Sequence, residues 1–356
     1  MHTSHAEDCS GAISLLEKGL IQVYTTESSH TNFAPIGLGL RAAGHKFRTL
    51  VTCFVSHELM DGCRSGARLL EPNLLIEHPM GCRQGLSGTY MGDKGRDAFE
   101  KARQSMLTRD FDIVVLNGVH KLLEKAIVSL EDLLRLSEEK PSDVELVFSG
   151  MRLPLELIEK ADLVTKMVVK QKPGGDRKEK VSEDQGAVEV ITGNGKGKTT
   201  YALGKAMLSA SIGISSSFLQ VIKSPKQYGE VMAIKRLPNL EIRTMGQGFL
   251  KKKGKTLEKK HIQAARNAWK EWLREVYSLR YGLLVLDEIN VATYYGLIHP
   301  ERVEEMLFLK PPKLDLLLTG RNAHPDIVKA ATTLIEMREI KHPFHQGIKA
   351  RKGIEY

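Results

Sequence analysis

The chain has 356 residues, 42% hydrophobic and 27% charged, a globular composition with length for two domains of ordinary size. A net charge of +9 favours an anionic partner, whether nucleic acid, acidic membrane or a phosphorylated small molecule, without choosing among them. No window approaches 18 consecutive apolar residues and the first twenty lack a basic start followed by an apolar block, so a soluble cytoplasmic protein is expected.

In chain order, the first half opens on an apolar strand that runs into TTESSHTNF (25–33), followed by GLGLRAAGHKFRTLV (37–51) and PNLLIEHPMG (72–81). Cys9, Cys53, Cys63 and Cys82 all fall in this first quarter at spacings unlike C-x-x-C clips, which argues against a disulfide scaffold. With His57 and His78 they leave a zinc site as the minor alternative to scattered buried or surface thiols. Phe111 to Lys166 reads as an apolar strand, a helical stretch, a second strand ending in Ser-Gly, and a helix. Residues 171–185 (QKPGGDRKEKVSEDQ) have the composition of a linker.

The second half repeats this design. AVEVIT (187–192) is a strand, TGNGKGKTT (192–200) a glycine-rich loop, and the next helix carries Ala202, Leu203, Ala206, Met207 and Ala210 on one stripe. The run KKKGKTLEKK (251–260) holds six lysines and is read as a solvated loop and helix start; without interleaved aromatic residues it lacks the pattern of a single-strand nucleic-acid platform. A helix over His261 to Arg280 buries Ile262, Ala265, Trp269, Trp272, Val276 and Leu279, with both tryptophans in the core. The strand LLVLDE (283–288) ends on Asp287 and Glu288, and the strand LDLLLTG (314–320) runs into Arg321.

Tyr281 to Glu336 aligns without a gap with Phe111 to Lys166 at an offset of 170, and PNLEIRTMGQG (238–248) echoes PNLLIEHPMG. The chain is therefore a tandem. The expected fold class is α/β: two P-loop NTPase-like (RecA-like) domains, each a mostly parallel sheet flanked by helices, at 1–170 and 186–356, joined by the linker 171–185.

A strand that runs into a glycine loop and then a helix gathers backbone N–H groups and the positive end of the helix dipole around phosphate. Gly193, Asn194, Gly195, Lys196, Gly197, Lys198, Thr199 and Thr200 form that candidate cradle. The glycines admit close backbone approach, Lys198 reaches phosphate oxygens as a point charge, and the Thr199 hydroxyl ligates magnesium. Asp287 or Glu288 holds the metal directly or through water, with capping of the following helix as the plain alternative. Arg321 offers triphosphate a fork of donors. His324, before Pro325, reads as a helix start rather than a catalytic residue.

TGNGKGKTT, VLDEINVATYYGLI, LLLTGRNAHPDIV and the terminal KHPFHQGIKARKGIEY together resemble the P-loop type of ATP:corrinoid adenosyltransferase, over nearly all of Gly186 to Tyr356. Thr192, where the usual P-loop pattern begins with Gly, agrees with that family's own loop. The resemblance implies attack by a corrinoid Co(I) on the 5′ carbon of ATP, with triphosphate leaving, in adenosylcobalamin biosynthesis or salvage. It implies Mg2+ (or Mn2+) with ATP, the corrinoid as substrate, and a reductase or flavoprotein that supplies Co(I). Lys198 and Arg321, with the metal at Thr199, Asp287 and Glu288, would stabilise the leaving triphosphate. Phe249 falls where the family has an aromatic segment against the corrin, and Lys251 stands where some relatives have tryptophan.

In the first half His30, Thr31 and Asn32 stand at the positions of Gly197, Lys198 and Thr199, Asn117-Gly118 at those of Asp287-Glu288, and Met151 at that of Arg321. A degenerate copy without ATP binding of the usual kind is expected, acting as the built-in second subunit of an intramolecular pseudo-dimer. Two other readings stay open. One is a P-loop ATPase or kinase in which Glu288 activates water; the other is a non-catalytic nucleotide- or corrinoid-binding regulator, or a nucleic-acid binder.

Overall fold

The structure, a computed structural model, describes residues 16–55, 58–79, 88–171, 185–223, 228–248, 252–253, 256–257 and 259–356. The first half runs β1 (Ile21–Thr26), α1 (Ala34–Gly44), β2 (Thr49–Cys53), α2 (Glu58–Arg68), β3 (Leu74–Glu77), α3 (Gly88–Leu107), β4 (Ile113–Asn117), α4 (His120–Glu124), α5 (Leu130–Glu139), β5 (Glu145–Met151), α6 (Leu155–Lys160) and β6 (Leu163–Gln171). The second runs β7 (Val188–Thr192), α7 (Lys198–Ser211), β8 (Ser216–Gln220), α8 (Gly229–Ile234), β9 (Leu240–Thr244), a small hairpin of β10 (Lys252–Lys253) and β11 (Thr256–Leu257), α9 (Lys259–Val276), β12 (Leu283–Asp287), α10 (Ile289–Tyr294), α11 (Pro300–Leu309), β13 (Asp315–Thr319), α12 (Pro325–Ala330) and β14 (Thr333–Lys341).

The central strands read as near-continuous apolar runs because both faces of the sheet are covered by helices. IVVLN of β4 and LLVLD of β12 are buried at every position. Strand order is β3-β2-β4-β5-β1-β6-β14-β7-β13-β12-β8-β9, so the second half repeats the order of the first in reverse. Neighbouring strands pair in parallel except β6 and β14, which run antiparallel and join the halves into one twelve-stranded sheet. Met167 pairs with Met337, its own equivalent 170 positions on, and Lys166 pairs with Arg338. A pseudo-twofold axis therefore passes through the two buried methionines.

The two faces of the sheet differ. On one, a single core draws on both halves, with Ile36, Leu40 and Cys63 beside Tyr201, Leu203 and Phe218. On the other, each half keeps its own core, around Phe99, Leu133 and Phe148 in the first and around Trp269, Trp272 and Leu284 in the second. The shared core forms because α1 and α7 meet at glycines. A Cβ on Gly37 would lie 1.7 Å from the Thr200 carbonyl oxygen, and one on its equivalent Gly204 would lie 2.4 Å from that of Phe33. No other side chain permits so close an approach of two helix backbones. The two halves thus share one core on this face of the sheet, and the residues whose side chains line the α1–α7 contact are buried between them.

Smaller differences from the sequence reading have plain causes. Gln171 ends β6 and pairs with Leu334, so the expected linker loses its first residue to the sheet; 172–184 lie outside the described residues. Helix α9 stops at Val276, and Leu279, expected in its buried stripe, sits beyond the end with φ +59° and 78% exposed. Both tryptophans are in the core and meet edge to face at 5.9 Å. Of the lysine run, Lys252–Lys253 pair with Thr256–Leu257 in the hairpin, and Lys259 opens α9.

Candidate active site

The site lies at the carboxyl ends of β7, β8, β12 and β13, the edge where ligands gather in open parallel sheets. The loop after β7 folds back on β14: Gly195 N donates to Met337 O at 2.8 Å, and a Cβ on Gly193 would lie 2.3 Å from that same oxygen. Gly193 and Gly197 take φ of +96° and +104°, which glycine alone adopts at no steric cost. These glycines are thus fixed by the neighbouring strand and by backbone geometry as well as by any ligand. Lys198 opens α7, buried, and its ammonium donates to Gly193 O at 2.8 Å and Gly195 O at 2.6 Å.

Four side chains converge on Asp287, which is fully buried at the end of β12. Its Oδ1 accepts from Thr199 at 2.9 Å and from Thr319 at 2.7 Å, and its Oδ2 accepts from Gln220 at 3.1 Å with Lys223 at 3.9 Å. Glu288 follows with φ +68°, a left-handed conformation that costs of order 1 kcal/mol or more in a residue with a side chain. It starts α10 but makes no side-chain cap hydrogen bond, so helix capping does not account for it.

Burial and then the neighbouring Asp287 push the Glu288 carboxyl up to about 7, against Lys198, Lys223 and Arg321. Burial likewise pulls the Lys198 ammonium down to about 8, reinforced by Arg321 and partly offset by Glu288 and Asp287. The two groups poise each other, and perturbation of this kind concentrates at functional sites. Arg321 is exposed just after β13, near enough for its charge to be felt by both.

The structure therefore brings together Lys198, Thr199, Asp287, Glu288 and the loop from Gly193 to Thr200, with Arg321 at the rim. Asn194 is exposed and Lys196 turns away to Glu355 at 2.7 Å. Thr200 Oγ1 donates back to Gly197 O at 3.1 Å, and Thr192 Oγ1 accepts from Ala323 N at 3.3 Å. Phe249 and Lys251 lie outside the described residues. His324 caps α12, its Nδ1 accepting from Asp326 N at 3.4 Å, in line with the helix-start reading.

Sequence reasoning missed Gln220, Lys223, Glu230 and Thr319. Glu230 is fully buried in α8; burial alone would raise its carboxyl, but Arg41 and Lys223 outweigh this and hold it well below the ordinary range. Lys223 Nζ lies 2.7 Å from Glu230 Oε1. The available signal was position, since QVIK and LLLTG end strands at the same edge as LLVLDE.

The carboxyl-terminal segment crosses to the first half. Arg351 makes a two-armed contact with the buried Glu145, at 2.7 and 2.9 Å, and Glu145 also accepts from Leu20 N at 2.7 Å.

At the equivalent place in the first half the charged side chains are replaced and the framework remains. Thr25 Oγ1 accepts from Leu153 N at 3.4 Å, as Thr192 does from Ala323. Asn117, in the position of Asp287, donates to Cys53 Sγ at 3.6 Å, and His30 shares a 2.9 Å hydrogen bond with Tyr201 of α7. Cys53 and Cys63 are buried free thiols, pushed up by burial to about 11 and about 12. His78 Nε2 lies 3.0 Å from Val55 O, while His57, Cys9 and Cys82, named with it for zinc, lie outside the described residues.

Fold and site together define an α/β protein with a strand–glycine loop–helix unit in one of two related halves. The sequence profile of the family described as ATP:corrinoid adenosyltransferase BtuR/CobO/CobP matches residues 17–180 and again 184–356, and the chain belongs to that family, twice over. Corrinoid adenosyltransferases from Pseudomonas aeruginosa and Escherichia coli K12 are 34% and 33% identical to it, over 49% of this chain and 85% and 87% of theirs. An uncharacterized Nostoc protein, all2391, is 25% identical over 90% of this chain and 89% of its own, so the tandem length is shared. The flagellar accessory protein FlaH of Methanocaldococcus jannaschii aligns over 47% of this chain and 77% of its own, with a TM-score of 0.32 and 14% identity. No helix among the described residues is long and apolar enough to cross a membrane.

Proposed function

We propose that the second half transfers the 5′-deoxyadenosyl group of ATP to the Co(I) of a corrinoid, releasing triphosphate, and that the first half is a non-catalytic partner covalently attached to it. The observation that carries this reading is the Lys198–Thr199–Asp287–Glu288 cluster around the glycine loop, in a chain whose halves both match the adenosyltransferase family while only one retains the cluster.

The corrinoid brings its own nucleophile, so no side chain need act as general base, and the residues' work is orientation and charge. The loop amides and Lys198 hold the phosphates, and Arg321 neutralises charge that accumulates on the departing triphosphate. Lys198 would exchange its two loop carbonyls for phosphate oxygens, which favours its charged form. Thr199, Asp287 and Glu288 offer only oxygen donors, which suit Mg2+ or Mn2+. Thr199, with Asp287 and Glu288 directly or through water, would hold that ion, which when bound supplies positive charge against the triphosphate. Because both Asp287 oxygens already accept hydrogen bonds, its main task in this reading is to aim the Thr199 hydroxyl.

In this reading a reductase or flavoprotein supplies Co(I) in the cytoplasm, where ATP is available, and nucleic acid is not a partner. Anaerobic incubation with ATP, magnesium and a chemically reduced corrinoid tests it. The expected product is a photolabile adenosyl-corrinoid with equimolar triphosphate. ADP and phosphate without adenosylation would instead identify an ATPase, and ATP binding without turnover a regulator.

A further inference from the structure

Among the described residues of the first half, Arg41 is a buried cation aimed at the second half's site. Arg41 sits in α1, 5% exposed in an otherwise apolar helix, and its Nε donates to Glu230 Oε2 at 3.0 Å. Glu230 passes the contact on through Lys223 at 2.7 Å and Gln220 at 3.4 Å, and both of these reach Asp287 Oδ2. The same guanidinium has a second arm. Its Nη1 donates to the carbonyls of Ile354 and Glu355, each at 3.2 Å, and the Glu355 carboxylate holds Lys196 of the glycine loop.

The pseudo-twofold axis supplies an internal control. At 167 positions' offset Arg41 corresponds to Leu208, and Glu230 to Cys63. The same positions meet on both sides, a Cβ on Gly229 lying against the Arg41 backbone and the His45 ring, and one on Gly62 against the side chains of their equivalents Leu208 and Ile212. Leucine and cysteine, both buried in the shared core, therefore suffice at the equivalent positions. Burying an ion pair in its place brings a desolvation cost that apolar residues avoid, so joining the halves does not explain it. The charged version occurs only on the side that keeps Lys198, Thr199 and Asp287.

We propose that Arg41 is a positioning residue of the second-half nucleotide site, contributed by the first half, which fixes Glu230, Lys223 and Gln220 against Asp287 and Glu355 against the loop. This rests on the nucleotide reading of that site. The test uses the full chain and measures Mg·ATP dissociation constants by titration calorimetry, alongside melting temperatures, for the parent and for Lys198→Ala, Arg41→Gln, Arg41→Leu and Arg41→Lys. The expected result is loss of binding in Lys198→Ala, about tenfold weaker binding in folded Arg41→Gln and Arg41→Leu, and recovery of most of that loss in Arg41→Lys. Parent-like affinity in the folded neutral variants, with binding lost in Lys198→Ala, would overturn the proposal and leave the site reading standing. Parent-like affinity in Lys198→Ala would overturn the site reading itself, and this proposal with it. Failure of both neutral variants to fold would make the pair a structural joint and also overturn it.

Discussion

The two halves share strand order, helix placement and even the threonine that tethers the loop after the first strand, yet differ at nearly every charged position of the site. Lys198, Asp287 and Glu288 face Thr31, Asn117 and Gly118 across the axis. Glu288 and Gly118 are the most instructive pair. Both have positive φ, +68° and +88°, so the turn after β4 or β12 demands that conformation in either half. The first half meets it with glycine, and the second accepts strain in a carboxylate. Conformational cost retained only where the other charged groups survive is the pattern expected of a working site beside a scaffold.

Separating the halves should have the largest effect. A chain of residues 186–356 alone would expose the α7 face around Tyr201, Gly204 and Leu208 together with the β6-facing edge of β14. It is expected to aggregate or self-associate and to lose transfer; light scattering and the adenosylation assay check this, and a soluble, fully active monomer would reduce the first half to an ornament. Next comes Lys198→Ala, expected to lower transfer by about 100-fold or more, while Thr31→Ala at the equivalent position stays within about twofold. Comparable losses in both would mean that the first half also binds nucleotide.

Gly37→Ala should destabilise the chain by roughly 2–3 kcal/mol, since its methyl would meet the Thr200 carbonyl, a backbone atom that can move only with α7. The midpoint of urea denaturation reads this directly. The smallest effect concerns pH. The Glu288 carboxyl keeps its proton up to about 7 when folded, against an ordinary value of 4.5, so the native state binds more protons than the unfolded state between these values. Stability contributed by that difference is present below about 4.5 and is lost as pH rises through about 7. Glu288→Gln should therefore stabilise the ligand-free chain at pH 8, by about 1–2 kcal/mol for this half-buried group, with little gain at pH 5. Equal melting shifts at both pH values would show that the strain at φ +68°, rather than the charge, sets the cost.

Much of this protein was legible before any coordinates. The ungapped match of Phe111–Lys166 with Tyr281–Glu336 established the tandem because strand and helix periodicities repeat with their turn residues. TGNGKGKTT and LLVLDE marked a candidate cradle and candidate carboxylates, because phosphate and metal binding would demand glycine, lysine, hydroxyl and acid at fixed places along a strand–loop–helix unit. Local chemistry of this sort is written in adjacent residues. What only the tertiary structure decided lies between residues far apart in the chain: the antiparallel β6–β14 seam on Met167 and Met337, the glycine crossing of α1 and α7, the closure of Arg351 on Glu145, and the contact of Arg41 with Glu230, 189 residues later. Buried ion pairs and helix crossings leave no periodic trace, because they depend on which faces meet, and a single arginine in an apolar helix does not name the carboxylate that will neutralise it.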